Sequence, residues 1–464
     1  MPLSIDFTNM MAGPLPNGAG ISEAQWALGA SRFQEAHARV AVRHAAGTLG
    51  FIDLPTDESG VGAILALARR VGGTVDHVLL LGIGGSALGP IALRSALCPP
   101  HWNELDDTAR GGNPRLHVLD NVDPVTIAAT IARLPLARTL VLVISKSGGT
   151  VETMAQYLIV REALEAALGV EEARARLVFV TDPEVGALRG VARAEGIATL
   201  EIPPNVGGRF SVLSPVGLLP AALIGIDIRG VMAGAAACAA RCTGSELAGN
   251  PAGVFAVLQW LADTSHGGHV QVLMPYADGL RDIALWFVQL WAESLGKIRA
   301  DGTSVGPTPL PAVGATDQHA QVQLFMEGPR DKTVTFIKVA GREALGLIPS
   351  RHAERPELGY LGGRTLGHLL EVERQATAGA LAARGRMNLT ITVPALDARS
   401  VGALLYLFEL ATAYAGELYE VNAFDQPGVE MGKQFAYAML GRAGSEAAQA
   451  EWESLPRPNP RWQV

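Results

Sequence analysis

The chain has 464 residues, 48% of them apolar and 18% charged, with 37 Lys and Arg against 45 Asp and Glu for a net charge of −8. That length exceeds one ordinary core and asks for two domains, and the apolar fraction excludes a disordered chain. No basic stripe is present, which argues against a nucleic-acid partner, so an anionic ligand must be held by a local pocket.

Residues up to about Gly73 read as mostly helical, with Ala and Glu at helical spacing around Ser22 to Ala46. From Asp76 the pattern becomes strand alternating with helix. Strands are expected near residues 78–81, 116–119, 140–144, 177–180 and 199–202. Helices are expected from Ser86, from Pro124, over 152–168 and over 184–194. Such alternation predicts a parallel sheet with helices on both faces. The stretch from Pro203 to Gly208 punctuates the chain and closes this first unit. A helical region follows to Asp263, and then a second alternation through segments 269–275, 280–297, 320–326, 333–339, 365–383, 389–393 and 400–421. It reads as a looser copy of the first unit. The expected division is 1–73, 74–204, 205–265, 266–400 and 401–464, with an irregular tail around Pro456 to Pro460.

Cys98, Cys238 and Cys242 do not make a disulfide framework, and buried thiols in a reducing cytosol is the expectation. The N-terminus lacks the charged-then-apolar order of a signal peptide. No apolar stretch of transmembrane length is free of charged residues. A cytoplasmic protein without a membrane partner is expected.

Two loops carry the strongest local signal. Gly82-Ile83-Gly84-Gly85-Ser86 follows the apolar run from Val78, and Ser145-Lys146-Ser147-Gly148-Gly149-Thr150 follows the run from Leu140. Each opens a helix, so N–H groups, hydroxyls and a positive dipole end converge on one spot, the requirement for binding a phosphate. Gly82-x-Gly84-x-x-Ala87 also satisfies the dinucleotide fingerprint, which favours a nicotinamide enzyme if taken alone. That fingerprint expects an acidic residue about 20 positions on, and Asp120 lies farther. The second loop is no P-loop. As a plain turn it would use Thr150 as the N-cap of the next helix, but three hydroxyls and Lys146 exceed what a cap needs.

Further candidates are scattered. Arg209 follows Gly207 and Gly208, where the backbone can approach a ligand; an isolated arginine more often makes a surface ion pair. Glu293 lies on the flank of an apolar stripe through Ile283, Trp286, Phe287, Leu290 and Trp291. Partial desolvation there raises a carboxylate's pKa toward that of a general base. The plainer reading is an i,i+4 ion pair with Lys297. Gln289 is one turn earlier on a similar face. His319 follows a turn-and-cap sequence and is expected in the first turn of a helix. Lys433 ends the run from Phe424 through Gln426 and Gly428, at a position that is usually solvated.

Taken in order, the blocks Gly82 to Pro90, Ser145 to Thr153, Gly207 to Leu213, Glu293 to Lys297 with Gly314 to Gln323, and Phe424 to Lys433 resemble the glucose-6-phosphate isomerase family. The resemblance runs from about Asp76 to about Gly441. It implies an α/β fold of two sugar-isomerase (SIS-type, flavodoxin-like) parallel-sheet domains flanked by helices, with helical segments at both termini. It implies reversible aldose–ketose isomerisation of glucose 6-phosphate and fructose 6-phosphate, with no cofactor and no metal. By position, Ser86, Ser145, Lys146 through its backbone, Ser147 and Thr150 resemble the phosphate site, with Gly85 admitting the sugar. Arg209 resembles the residue that steadies the enediolate, and Glu293 the base that shuttles a proton between C1 and C2. His319 resembles a ring-opening residue that enters from the partner of a homodimer, assisted by Lys433. Gln289 and Gln426 resemble glutamines that line the sugar. Family members often carry a second threonine or a bulky residue where this loop has Gly148-Gly149. Two other classes are kept in view: a nicotinamide dehydrogenase built on the first loop, and a sugar-phosphate sensor without catalysis.

Overall fold

The computed structural model describes residues 2–73 and 75–464. The chain begins with a short strand, β1 (Ser4–Asp6), and two helices, α1 (Glu23–Ala45) and α2 (Glu58–Gly72). A capping box fixes the start of α1, where Ser22 and Gln25 exchange side-chain and backbone hydrogen bonds. The first alternation then runs β2 (His77–Leu81), α3 (Gly85–Leu97), β3 (Arg115–Leu119), α4 (Pro124–Arg133), β4 (Thr139–Ile144) and α5 (Val151–Leu168). It ends with α6 (Val170–Ala175), β5 (Leu177–Thr181), α7 (Ala187–Glu195) and β6 (Ala198–Glu201). All six residues of β4 are buried, as a strand covered on both faces requires.

These five strands are all parallel, in the order β3-β2-β4-β5-β6. Counted within the unit, the order is the flavodoxin-like 2-1-3-4-5, whose crevice opens between the first and third strands. Here those strands are β2 and β4, with Leu81 level with Val143.

Three helices follow, α8 (Pro215–Leu223), α9 (Ile228–Arg241) and α10 (Pro251–His266). The second alternation comprises β7 (Val270–Pro275), α11 (Arg281–Leu295), the small hairpin β8 (Lys297–Ile298) with β9 (Ser304–Val305), β10 (Thr308–Pro311) and α12 (Val322–Glu327). It continues through β11 (Lys332–Val339), α13 (Pro356–Gly359), α14 (Leu366–Ala383), β12 (Asn388–Val393) and α15 (Ala398–Leu418). The second sheet has the order β10-β7-β11-β12-β1. It repeats the first sheet, except that its last position is filled by β1, paired antiparallel to β12 with Ile5 opposite Ile391.

Two of these strands escape the sequence pattern. Three residues of β1 are too short to show a period, so the reading of residues up to Gly73 as mostly helical misses a strand of the distant sheet. In β10 two prolines mask the strand; Pro309 and Pro311 are tolerated because β10 lies at the sheet edge.

The two sheets share a middle layer of helices. Val78, Leu80, Leu140 and Leu142 of the first sheet and Leu273, Ile337, Leu389 and Ile391 of the second face one continuous core with α8, α9, α10, α11 and α15. Smaller clusters cover the outer faces, one with Tyr157 and Val160 of α5, the other with Phe325 of α12 and Leu381 of α14. By length and composition α15 could cross a membrane, but 89% of its apolar window is buried inside the protein. Cys238 and Cys242 are buried and unbridged; Cys98 is half-buried, and desolvation pushes its thiol up to about 12. Last come α16 (Glu430–Met439) and α17 (Glu446–Ser454), joined by the Phe435–Trp452 ring contact at 5.6 Å, and a 3-10 turn at Pro460–Trp462.

Candidate active site

The two glycine- and hydroxyl-bearing loops leave β2 and β4 side by side and run straight into α3 and α5, so two helix N-termini meet at the crevice of the first sheet. A side chain at Gly82 would stand 3.3 Å from the Ile144 carbonyl, which shows how closely the loops abut. In the second loop Ser145 Oγ lies 3.0 Å from Thr150 Oγ1, and Ser147 Oγ lies 3.3 Å from Thr150 Oγ1 and 3.5 Å from Ser145 Oγ. The Gly149 amide donates to Ser147 Oγ at 3.3 Å. Thr150 occupies the N-cap position of α5 but makes no side-chain cap bond, so its hydroxyl belongs to the cluster. Three hydroxyls at a helix start form a cradle suited to a phosphate dianion.

Within the Gly148-Gly149 departure, the first glycine has a backbone reason. Gly148 has φ +61°, and a side chain there would meet Gly186 at 3.1 Å. The Lys146 side chain lies apart from the cradle. Its Nζ turns away from the hydroxyls and donates to the carbonyls of Pro204 and Val206, 2.7 Å each. Burial pushes its pKa down, and Asp182 opposes that. Only its backbone remains for the cradle, while its side chain ties this loop to the segment leading to Arg209.

That segment packs on the first loop. A methyl at Gly85 would meet the Gly208 carbonyl oxygen at 2.2 Å and the Arg209 nitrogen at 2.9 Å. The glycine loop that matched a dinucleotide fingerprint is therefore occupied by the 3-10 turn Gly208–Phe210. Gly84 is next to Gln289, whose Nε2 would lie 2.9 Å from a side chain placed there.

Arg209 is no surface arginine: it is 4% exposed. Its Nε donates to Ser294 Oγ at 2.7 Å, Nη1 to Gln426 Oε1 at 3.2 Å, and Nη2 to the carbonyls of Asp425 at 2.9 Å and Ala423. Nη1 also faces Glu293 Oε1 at 3.6 Å. Burial pushes the guanidinium pKa down, and Glu293 and Asp425 oppose the shift. A buried charge of this kind persists only when its donors are satisfied.

Glu293 sits half-buried on α11, as its place on the flank of the apolar stripe predicts. Gln289 Nε2, one turn earlier, donates to Glu293 Oε2 at 3.1 Å. The carboxylate is thus held between an amide and a guanidinium. The i,i+4 ion pair with Lys297 does not form: Lys297 Nζ donates instead to the Glu293 backbone carbonyl at 2.6 Å.

The structure therefore brings together Gly85, Ser86, Ser145, Ser147, Thr150, Arg209, Gln289, Glu293 and Gln426 on adjoining segments. It leaves two candidates apart. His319 is exposed, and it closes the 3-10 turn Thr316–Gln318 rather than opening α12. Lys433 is exposed on α16 and pairs with Glu430 at 2.9 Å. Among the described residues no hydrogen bond or ion pair joins either to Glu293 or Arg209. The sequence reading missed Ser294 and the carbonyls of Ala423 and Asp425. A serine next to the candidate base and two backbone oxygens carry no sequence signal.

The chain also matches a known family. The phosphoglucose isomerase family model matches residues 66–456. The chain belongs to the phosphoglucose isomerase family. It is 48% identical over 413 residues to a glucose-6-phosphate isomerase of Rubrobacter xylanophilus, covering 88% of this chain and 93% of that relative. It is 44% identical over 455 residues to a glucose-6-phosphate isomerase of Carboxydothermus hydrogenoformans, covering 97% of each. Among solved structures, a hypothetical protein of Thermus thermophilus superposes with a TM-score of 0.83 at 38% identity, covering 95% of this chain and all of that one. A glucose-6-phosphate isomerase of Chlamydia trachomatis shares the fold with a TM-score of 0.71 at 24% identity, covering 86% of this chain and 77% of that one.

Proposed function

We infer that this chain interconverts glucose 6-phosphate and fructose 6-phosphate, an aldose–ketose isomerisation within glycolysis and gluconeogenesis. The observation that carries the reading is the meeting of Glu293 with Arg209 on segments that abut a hydroxyl cradle. Family membership with relatives named for this activity supports it.

The chemistry follows from the residue types. In the open-chain aldose Glu293 takes the C2 proton, the electron pair forms the C1–C2 double bond, and the carbonyl oxygen becomes an oxyanion beside Arg209. Return of that proton to C1, with the C2 hydroxyl proton passing to the C1 oxyanion as the C2 carbonyl forms, leaves the ketose. Gln289 holds the carboxylate, and Gln426, itself held by Arg209, lines the sugar. The phosphate in the cradle of Ser86, Ser145, Ser147 and Thr150 orients the reacting carbons with binding energy remote from them. This transfer is internal to the sugar and calls for no redox cofactor.

His319 and Lys433 are assigned to ring opening by their place in the family pattern. His319 is exposed and unconnected to Glu293 within its own chain, which supports a homodimer whose subunits lend each other this histidine. A cytoplasmic location fits three unbridged cysteines.

The direct test adds fructose 6-phosphate to the purified protein and measures glucose 6-phosphate formed. Product is expected, and Glu293→Gln should abolish turnover while sugar-phosphate binding survives; an inactive wild-type protein would sink the reading. Mixing inactive Glu293→Gln with inactive His319→Ala subunits should recover part of the activity. No recovery despite verified subunit exchange would remove the shared site.

A further inference from the structure

Lys297 begins β8, directly after α11, and its side chain is only 7% exposed. Its Nζ donates to the Glu293 carbonyl at 2.6 Å and the Ser294 carbonyl at 3.1 Å, and faces Asp425 Oδ1 at 3.7 Å. Two of the ammonium's three donors are taken by carbonyls, and Asp425 balances the charge at ion-pair distance. The two carbonyls belong to the last turn of α11, where no further helical N–H exists to bond them, and a cation there also opposes the negative end of the helix.

The same helix end carries Glu293 and Ser294, the candidate base and the hydroxyl that holds Arg209. Asp425, at the third corner, gives its backbone carbonyl to Arg209 and precedes Gln426, which accepts from the same guanidinium. Its other carboxylate oxygen accepts from Asn422 at 2.7 Å. Lys297 thus touches both the helix bearing the base and the loop bearing Arg209's acceptors. Arg209 and Lys297 stand against Glu293 and Asp425, two charges of each sign. Burial and Arg209 push the Lys297 pKa down, and Asp425 and Glu293 oppose them.

We propose that Lys297 is a positioning residue for proton transfer, clamping the end of α11 to Asp425 and so fixing Glu293 against Arg209. The proposal rests on the isomerase reading above.

Lys297→Met keeps the aliphatic stem and removes the cation. Its kcat with fructose 6-phosphate should fall roughly 30- to 100-fold, the scale of a misplacement near 1 Å. KM should change less than about threefold, because the phosphate cradle is on other elements. With a cation gone from beside the base, the acid limb of kcat/KM should move up by about half a pH unit. Asp425→Asn keeps both helix-end bonds and removes an anion, so its loss should be smaller and its acid limb should move down. The double variant should lose no more than Lys297→Met alone, since paired residues are non-additive.

Lys297→Met with kcat within threefold of wild type overturns the proposal. So does a kcat loss that tracks Tm with an unmoved acid limb and additive losses, since that is packing alone. Should Lys297→Met fail to fold, the Asp425→Asn acid limb decides: a downward move supports the clamp and an unmoved limb overturns it. An inactive wild-type protein in the same assay would instead strike the isomerase reading.

Discussion

Replacing Gly85 by alanine adds one methyl at the joint between the first phosphate loop and the segment carrying Arg209. That methyl would stand 2.2 Å from the Gly208 carbonyl oxygen, 2.4 Å from its carbon and 2.9 Å from the Arg209 nitrogen. Real contacts of this kind do not fall below 3.0 Å, so the backbones must part by at least about 0.8 Å. None of the three atoms belongs to a flexible side-chain end. Overpacking of this sort costs about 1–3 kcal/mol of stability. Its larger effect is on catalysis, because the displaced backbone bears the guanidinium held by Ser294, Gln426 and Asp425. A shift near 1 Å between reacting groups is worth roughly 100-fold in rate, about 2.7 kcal/mol. Steady-state kinetics on purified Gly85→Ala should show kcat/KM reduced about 30- to 100-fold, with Tm lowered by a few degrees. A variant with kcat/KM within threefold of wild type and an unchanged Tm would refute the contact argument.

Three other outcomes follow from particular groups. Ser294→Ala leaves the buried Arg209 Nε–H without its acceptor, costs about 1.5–3 kcal/mol, and should lower kcat/KM by about 10- to 100-fold; a change under twofold would show that the hydroxyl does not hold the guanidinium. His117, 3.0 Å from His77, has its pKa lowered to about 4, chiefly by burial and then by the His77 charge. The unfolded chain therefore takes up the proton first: this stability is whole above pH 6.5 and is lost as pH falls toward about 4. The loss is about 1–2 kcal/mol after discounting for partial solvation, so urea midpoints at pH 7 and pH 4.5 should differ more for wild type than for His117→Gln, and equal differences would contradict it. Glu409 is fully buried within α15, both its carboxylate oxygens lack a partner, and burial raises its pKa well above the usual range. It is stable in the fold as the neutral acid, so its contribution is whole below about pH 4.5 and falls as pH rises; Glu409→Gln should gain Tm on wild type between pH 5 and pH 8. A constant Tm difference across that range would tell against a neutral acid.

The centre of the first sheet was legible because β2, β4 and β5 are short apolar runs bounded by turn residues, the local pattern that a buried parallel strand imposes. Its two loops were legible for the same reason: glycine and hydroxyl residues at a strand-to-helix joint announce their chemistry within six positions. The flank position of Glu293 also followed from helical period. Where local pattern fails, so does the reading. β1 is too short and β10 too rich in proline to show their strands, yet the sheet accepts both at its edges.

Side-chain direction and long-range partners were decided by the tertiary structure alone. Lys297 reads as a charge beside a carboxylate and Lys146 as a backbone member of the phosphate loop, and only the structure shows that both ammonium groups go to backbone carbonyls. Arg209 read as a loop arginine until Ser294, 85 positions away, and Gln426, 217 positions away, closed around it. Period and turn chemistry act over a few residues and are written in the chain. Which distant groups share a buried charge depends on how two sheets and their common helical layer pack, and the packing alone set Glu293 against Arg209.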